Sequence, residues 1–333
     1  MKFGFTNNSI KGFTLIELMI SLFVGAFILA GVMFTYLGMK VTTSETMDLG
    51  ELQESGRLAM DILKRDIEMS GFWGSYTAIP DANLFIGGVP VAPANDCSEG
   101  QNNASFPVIS NRNFISLFAT DDVMNCIDSS KENSDILQVK RVLGQDSTGQ
   151  LTSANQQYFI STPKIARIVN GTGGVIPTNG NEQVWEYLHN VYFIQDQNYT
   201  LNGETISIPT LRRMRLTRGR MSAETIMEGV ESMRFLFGLD TNGDSRVDTY
   251  RGVENMNQTD WEQGTAKILT VQIFLLVRTF EPNPGNSPGE QTFILGGDTP
   301  ATLKTLTFDD DFRRKLLTST VRLMNTRTDK WII

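Results

Sequence analysis

Gly12-Phe13-Thr14-Leu15-Ile16-Glu17-Leu18 opens the stretch on which the reading of this chain turns, an apolar run that continues to about Tyr36 with Glu17 as its single charge. The run is long enough to cross a bilayer as one helix, which takes about 20 apolar residues. A secretory signal has a shorter apolar core, about 7 to 15 residues, closed by a small-residue cleavage site. Here the small residue, Gly12, precedes the run, so the sequence predicts a segment that is kept. Glu17 needs a separate reason. A carboxylate in a membrane helix costs about 2.5 to 3.5 kcal/mol on insertion scales and marks a function with a partner. A cut between Gly12 and Phe13 would create an α-amine on Phe13, one helical turn from Glu17. That cation, in the same chain or in a neighbouring copy, is the natural counter-charge. Such a pair would set the axial register of helices packed side by side.

The segment from Gly12 to Glu17 resembles the class III signal of type IV pilins and type II secretion pseudopilins. The resemblance implies that a prepilin peptidase cuts after Gly12 and methylates the new amine of Phe13. It also implies that Glu17 pairs with a neighbouring subunit's amine during assembly. The organisation that follows is a cleaved leader at 1–12, a long helix over 13–70 whose part 13–36 spans the inner membrane, and a β-rich globular head over 71–333.

The 333 residues suffice for one large or two modest domains beside that helix. Net charge is −8, and loss of a leader that carries Lys2 and Lys11 and no acid takes it to −10. An acidic balance without clustered cations argues against nucleic acid bound through a basic face. Lys2 and Lys11 precede the apolar run, and Glu45, Asp48, Glu51 and Glu54 follow it. Positive flanks stay cytoplasmic, which predicts a head in the periplasm and then on the pilus at the cell surface. Cys97 and Cys126 lie in polar sequence on that outward side, where disulfides persist. Two cysteines allow one pairing, so a Cys97–Cys126 bridge is expected, with a stabilisation of about 2–4 kcal/mol.

Beyond the apolar run, Leu49, Leu52, Gly56, Ala59, Leu63 and Ile67 recur at spacings of three and four, the stripe of an amphipathic helix. No proline intervenes and Gly71 follows as a stop. One helix is therefore expected from Thr14 to Ser70, about 85 Å long at 1.5 Å per residue, its stripe seated on the chain's own head. Residues 72 to 134 are rich in Gly, Pro, Asn, Asp and Ser and read as irregular loop, with Phe72 and Trp73 packed at its start. Strands are expected from Ile136 to Leu143, Gln157 to Ser161, Lys164 to Val169, Val191 to Gln195, Leu211 to Thr217, Met233 to Leu239, Ile268 to Arg278 and Lys315 to Met324. Phe280 to Gly297 reads as loop, and Arg212, Arg213, Arg215 and Arg218 as a solvated strand face with acids nearby. One helix, a loop region and a mainly antiparallel sheet make an α+β fold.

Asp240-Thr241-Asn242-Gly243-Asp244-Ser245-Arg246-Val247-Asp248 places side-chain oxygens at its first, third, fifth and ninth positions. Calcium takes six to eight oxygen ligands, and an EF-hand loop supplies them at those positions plus a backbone carbonyl at the seventh, here that of Arg246. The nonapeptide resembles the calcium loop of dockerins and of some pilus proteins, which implies Ca2+ held by Asp240, Asn242, Asp244, Arg246 and Asp248 to pin a loop. Ser245 stands where an EF-hand has glycine, the twelfth position is Arg251, and Glu254 is a further candidate carboxylate. Asn242-Gly243 is also a hairpin signal in its own right.

Nothing in the sequence points to catalysis. His189 is the only histidine, at the start of a strand, and reads as structural. No G-x-S-x-G, P-loop, H-E-x-x-H or C-x-x-C occurs, and Gly171-Thr172-Gly173-Gly174 opens no helix. Three further stretches resemble the PilW family of minor pilins. They are the join from Leu63 to Gly74, Glu228-Gly229-Val230-Glu231 leading through Phe235 and Gly238 to Asp240, and Trp261 leading into Leu275-Leu276-Val277-Arg278. That resemblance implies a non-enzymatic, low-abundance subunit that joins other minor pilins, the major pilin and a large tip adhesin. In a tip or initiation complex it would prime assembly of the fimbrium and support motility or adhesion. Major pilins usually carry a helix-kinking proline in the membrane half; Gly25, Gly31 and Gly38 stand there instead, which favours a minor subunit over the bulk one. The alternatives are a J-type minor pseudopilin of type II secretion, whose heads are usually smaller, and a membrane-anchored calcium-dependent adhesive module, which would work without Glu17.

Overall fold

The computed structural model describes residues 12–77, 89–100, 102–107, 112–201, 203–283, 285, 287–299 and 302–325, so the expected leader, with Lys2 and Lys11, lies outside the described residues apart from Gly12. The elements are α1 (Leu15–Glu68), β1 (Leu117–Thr120), β2 (Ile136–Asp146), β3 (Gln157–Ser161), β4 (Ala166–Asn170), β5 (Gln183–Leu201), β6 (Glu204–Thr217), β7 (Arg220–Glu228), β8 (Val230–Asp240), β9 (Thr249–Gly252), α2 (Gln258–Trp261), β10 (Lys267–Arg278), β11 (Gln291–Ile294), β12 (Thr305–Phe308) and β13 (Arg314–Arg322). This is the expected α+β architecture, a long apolar helix followed by an antiparallel head.

Two units divide the chain at Gly50 and Glu51. In the first, the apolar side chains of α1 are exposed, Phe13 at 87% and Phe34 at 83%. The helix is long and apolar enough to cross a membrane. The hydroxyls of Ser21, Thr35, Thr42 and Thr46 donate to the carbonyls of Leu18, Gly31, Gly38 and Thr42 in the same helix. Such back-bonding gives each polar donor a partner inside the helix, as a lipid environment requires.

In the second unit the helix becomes part of a core. Leu52, Gly56, Ala59, Leu63 and Ile67 are buried, while Leu49 remains 44% exposed, so the expected stripe begins one step later. A Cβ on Gly56 would lie 2.5 Å from Leu317 Cδ1 and 3.3 Å from Val277. The glycine therefore lets the helix backbone rest directly on β10 and β13. The helix ends where Gly71 takes φ +70°, the left-handed turn that glycine adopts without strain. Gly71 N then donates to Lys140 O at 3.2 Å, and Val142 N to Phe72 O at 2.9 Å, passing the chain onto β2.

The larger sheet has seven strands in the order β1-β2-β5-β3-β4, with β6 on β5 and β7 on β6. The length of β5 explains the branch: Gln183–Tyr187 pairs with β3, and Asn190–Leu201 pairs with β6 along the same edge. A second sheet runs β13-β10-β8-β9, and β11 and β12 form a separate hairpin. The two larger sheets are joined at Ser134 and Asp135. Asp135 N donates to Met233 O at 2.8 Å, and its Oδ2 accepts from Phe235 N at 2.8 Å.

Several expectations change here. Residues 72–134 contain β1, and Phe280 to Gly297 contains β11, which pairs with β12. These strands, with β7 and β9, are short edge or hairpin pieces whose pairing supplies what their sequence lacks. The strands expected at Val191 and Leu211 begin much earlier, at Gln183 and Glu204, because their polar ends pair with each other or with β3.

Asp66, on the last turn of α1, is 4% exposed. Its Oδ1 accepts from Arg141 Nε at 3.0 Å and Nη2 at 2.6 Å, and its Oδ2 accepts from Asn190 Nδ2 at 2.7 Å and Tyr192 OH at 2.5 Å. Removing one member of a buried pair leaves the other charge uncompensated, at about 3–5 kcal/mol. Asp66→Asn should lower the urea stability of the detergent-solubilised chain by that order. The double change Asp66→Leu with Arg141→Met should recover part of it. A loss below about 1 kcal/mol, the range of an exposed pair, would mean that this clamp does not hold the helix.

Asp135 is fully buried, 3.8 Å from Arg234 Nη1 and 3.9 Å from Lys304 Nζ. Burial pushes its carboxyl up from 3.8 to about 6, against the opposing pull of the Phe235 N–H, Lys304 and Arg234, with Glu254 raising it further. A carboxyl that holds its proton more tightly when folded adds stability below its unfolded value, and that stability is lost as pH rises through the folded value. Wild type should therefore lose stability relative to Asp135→Asn between about pH 4 and 6, by at most about 3 kcal/mol. Urea midpoints at stepped pH read the difference, and parallel curves would remove Asp135 from the pH dependence.

Candidate functional site

The start of α1 carries the residues expected to take part in processing and assembly. Gly12 and Phe13 are exposed, ahead of the first helical turn. Glu17 Oε2 accepts from Thr14 N at 2.9 Å and Thr14 Oγ1 at 3.0 Å, while Glu17 N donates to Thr14 Oγ1 at 3.3 Å. This is a reciprocal capping box, and its signature of Thr or Ser followed three residues later by Glu stands in the sequence as Thr14 and Glu17. The box is legible in the sequence, although a charge in an apolar run points first to a partner outside the chain. In the uncut chain the carboxylate thus has a local donor set of its own. The next backbone nitrogen before Thr14 is that of Phe13, so a cut after Gly12 would put an ammonium one residue from a donor already bound to Glu17.

The face of the seven-stranded sheet turned away from α1 is covered by the segment that bears the disulfide. Cys97 and Cys126 are bonded, 29 residues apart. Side chains alternate across a strand, so Arg141 on β2 and Asn190 and Tyr192 on β5 meet Asp66, while Gln138, Lys140, Tyr187 and His189 face the covering segment. Gln138 Nε2 donates to Cys97 O at 2.8 Å, and Tyr187 OH to Ser105 O at 2.6 Å. Lys140 Nζ donates to Asn103 O at 2.7 Å and Ile115 O at 2.9 Å, with Gln138 Oε1 at 3.5 Å. Full burial pushes this amine down from 10.5 to about 7, opposed by the charge of Asp96.

His189 is fully buried beside it, with Nδ1 2.9 Å from Ser105 Oγ and Nε2 2.7 Å from Gln138 Nε2. Burial pushes its pKa well below 6.5. Ser105 Oγ in turn lies 2.6 Å from Asp96 Oδ1. Although Asp, Ser and His meet here, the order is wrong for an activated nucleophile. The hydroxyl proton goes to Asp96, the imidazole follows behind Ser105, and no carboxylate orients the histidine as in a working triad. The cluster ties the covering segment to the sheet.

The expected calcium loop connects β8 and β9. Asp240 Oδ1 accepts from Gly243 N at 2.6 Å and Asn242 N at 3.2 Å, and Oδ2 from Ser245 N at 2.9 Å. Asp248 accepts from Thr241 N at 2.7 Å and from Asn242 Nδ2 at 3.0 Å, and Asp244 Oδ1 from Arg246 N at 2.9 Å. Burial raises the Asp240 pKa, but its backbone donors outweigh that and hold it below the usual carboxylate value; the Thr241 N–H does the same for Asp248. Ser245 takes φ +66°, so the sharp turn that a sixth-position glycine would supply is present with serine. Glu254 and Arg251 are engaged elsewhere, with Arg234 at 2.7 Å and Asp260 at 2.8 Å. Among the described residues no three His, Cys, Asp or Glu side chains converge as a metal-binding group. A cation here would have to draw Asp244 and Asp248 away from N–H donors they now hold.

The arginine cluster on β6 is largely paired along the sheet face. Arg213 meets Glu224 at 2.6 Å, Arg215 meets Glu186 at 2.9 Å, and Arg212 bonds Gln195. It is the solvated strand face expected from the neighbouring acids.

Residues 191–325 match the family model described as type IV pilus-assembly protein W. That span runs from the middle of β5 through the end of β13 and so takes in the Asp240 loop. Residues 7–33 match the prokaryotic N-terminal methylation motif, the stretch that includes Gly12, Phe13 and Glu17. No curated protein and no solved structure matches the chain.

Proposed function

We propose that the chain is a PilW-like type IV minor pilin, on the match of residues 191–325 to that family's pattern and of residues 7–33 to the prepilin methylation motif, and that it acts in a tip or initiation complex that primes pilus assembly. The observation that carries the reading is the first half of α1. Its large apolar side chains are exposed around the whole helix, and one carboxylate, Glu17, stands among them. Such a surface calls for lipid before assembly and for other helices after it. Glu17 supplies the one polar point at which those helices can be put in register. Prepilin peptidase would cut between Gly12 and Phe13 and methylate Phe13. The new amine can then take the Thr14 end of the capping box in its own chain, or the carboxylate of a neighbour.

In this reading the head stands in the periplasm and later at the pilus tip. It would present surfaces to other minor pilins, to the major pilin and to a large adhesin, in motility or adhesion. A subunit of this kind needs no catalytic centre. The Asp240–Asp248 loop is proposed as an accessory Ca2+ site that stiffens the β8–β9 connection, supported by its ligand order, the lowered pKa of Asp240 and Asp248 and the turn at Ser245. Since binding must displace existing hydrogen bonds, affinity in the range of about 0.1–1 mM is expected, as for extracellular modules.

Strains carrying Glu17→Ala, a full deletion, and Asp240→Ala with Asp244→Ala test both statements. Loss of surface pili is expected from the first two, with the Glu17→Ala protein still present in the membrane. Normal pili with blocked type II secretion would move the chain to the pseudopilins. Normal pili and normal secretion in the deletion would end the assembly reading. For the loop, millimolar calcium should raise the melting temperature of the wild-type chain over that in chelator, and leave the double variant unmoved. Equal melting with and without calcium removes the metal and leaves the pilus reading untouched.

A further inference from the structure

Two groups beneath the disulfide-bearing segment lack the partners that burial demands, and they lie on neighbouring residues. Lys140 Nζ is fully buried, yet its partners are the carbonyls of Asn103 and Ile115 and the Gln138 carboxamide, none of them a carboxylate. The charge of Asp96 acts only from a distance, since that carboxylate is bonded to Ser105, and a buried ammonium with no carboxylate bonded to it is among the costliest arrangements in a protein interior. Asn103 is equally buried, and its Nδ2 has no hydrogen-bond partner among the described residues. A buried amide donor left unmade costs about 1–3 kcal/mol, and in a native protein such a group asks for an explanation.

We propose that Lys140 and Asn103 are joined by an amide bond between Nζ and Cγ, formed inside the folded head with release of ammonia. The neutral amine attacks Cγ, the Cγ–Nδ2 bond breaks, and a proton from Nζ leaves on Nδ2 as ammonia. Atoms and electrons balance with no oxidant, cofactor or second substrate. Nζ is already held 2.7 Å from the backbone carbonyl of the same Asn103, which makes the reaction intramolecular. The step then needs Cγ to approach to about 3–3.5 Å, a near-attack distance; the turn pivots on Oδ1, which Glu99 N holds, while Nδ2 has no bond to a described residue to break.

Burial pushes the amine's pKa down to about 7, so that a large share of it is neutral and nucleophilic near neutral pH. Asn103 Oδ1 accepts from Glu99 N at 3.0 Å, a donor aimed at the oxygen on which negative charge would develop. The Phe114 ring lies 4.7 Å from Nζ and helps to shut out water that would compete for Cγ. The product removes both anomalies at once. The lysine becomes an uncharged amide whose one N–H can keep Ile115 O, and the orphaned NH2 is gone. It also fastens the covering segment to β2 independently of the Cys97–Cys126 bridge.

The test is the intact mass of the full chain, purified, reduced and denatured. The expected value is lower than the sequence mass by one ammonia, beyond any change from processing. Tandem mass spectrometry of a proteolytic digest should show a branched peptide joining Asn103 to Lys140. Lys140→Met and Asn103→Ala should each show the full mass of their own sequence. A wild-type chain at full sequence mass overturns the proposal, and so does an ammonia loss carried by linear peptides, which would be a succinimide. Because the reading is made on the denatured wild-type chain, poor folding of either variant cannot obscure it.

Discussion

The carboxylate of Asp66 receives four donors from three residues on two strands of the larger sheet, and the head is arranged around that convergence. A charge this deeply placed is tolerable only when almost every lone pair is used. Arg141, Asn190 and Tyr192 must therefore stand together on one face of β2 and β5, which fixes the register of that pair. One further contact, the bare backbone at Gly56 against Leu317 and Val277, places the same helix on the second sheet. Between those two points the apolar stripe from Leu52 to Ile67 fills the space. The polar contact sets position, and the burial of apolar area supplies most of the favourable free energy.

One helix thus serves two environments. Through residues 15–50 its apolar surface is exposed and its hydroxyls bond within the helix. From Glu51 on, one stripe is buried and charged residues take the other face. The switch needs no break in the backbone, because a helix ladder is satisfied internally in lipid and in a protein core alike. Glu17 fits this economy. Its capping box with Thr14 gives the carboxylate a local set of donors, so the charge is organised within its own first turn.

The opposite face of the larger sheet follows another logic. Chain with little regular structure covers it, and such chain carries backbone groups that must find partners. Gln138, Lys140, Tyr187 and His189 project those partners from β2 and β5, and the disulfide closes the loop above them. Polar residues inside an otherwise apolar sheet are what allow an irregular segment to serve as a layer of the core.

How far the sequence carried this reading is clearest element by element. Periodicity sufficed for α1, since an apolar run and an i, i+3/i+4 stripe state the helix and its two environments without tertiary help. The N-terminal methylation motif over residues 7–33 was equally legible, because it is carried by residues adjacent in the chain. The strongly β-branched strands were readable for the same reason, and the disulfide because two cysteines allow one pairing. By contrast, β1, β7, β9, β11 and β12 exist through pairing with partners distant or short in sequence, and the polar ends of β5 and β6 extend only because each finds the other. Asp66 among charged helix residues, and Lys140, Asn103, Ser105 and His189 beneath a loop, carry no local mark. The chain alone determines a membrane-length helix, an amphipathic continuation and an N-terminal methylation motif, all properties of neighbouring residues. Which polar side chains are taken out of water, and what they must then bond to, was decided by tertiary structure, because the cost of burial arises only when distant segments close over them.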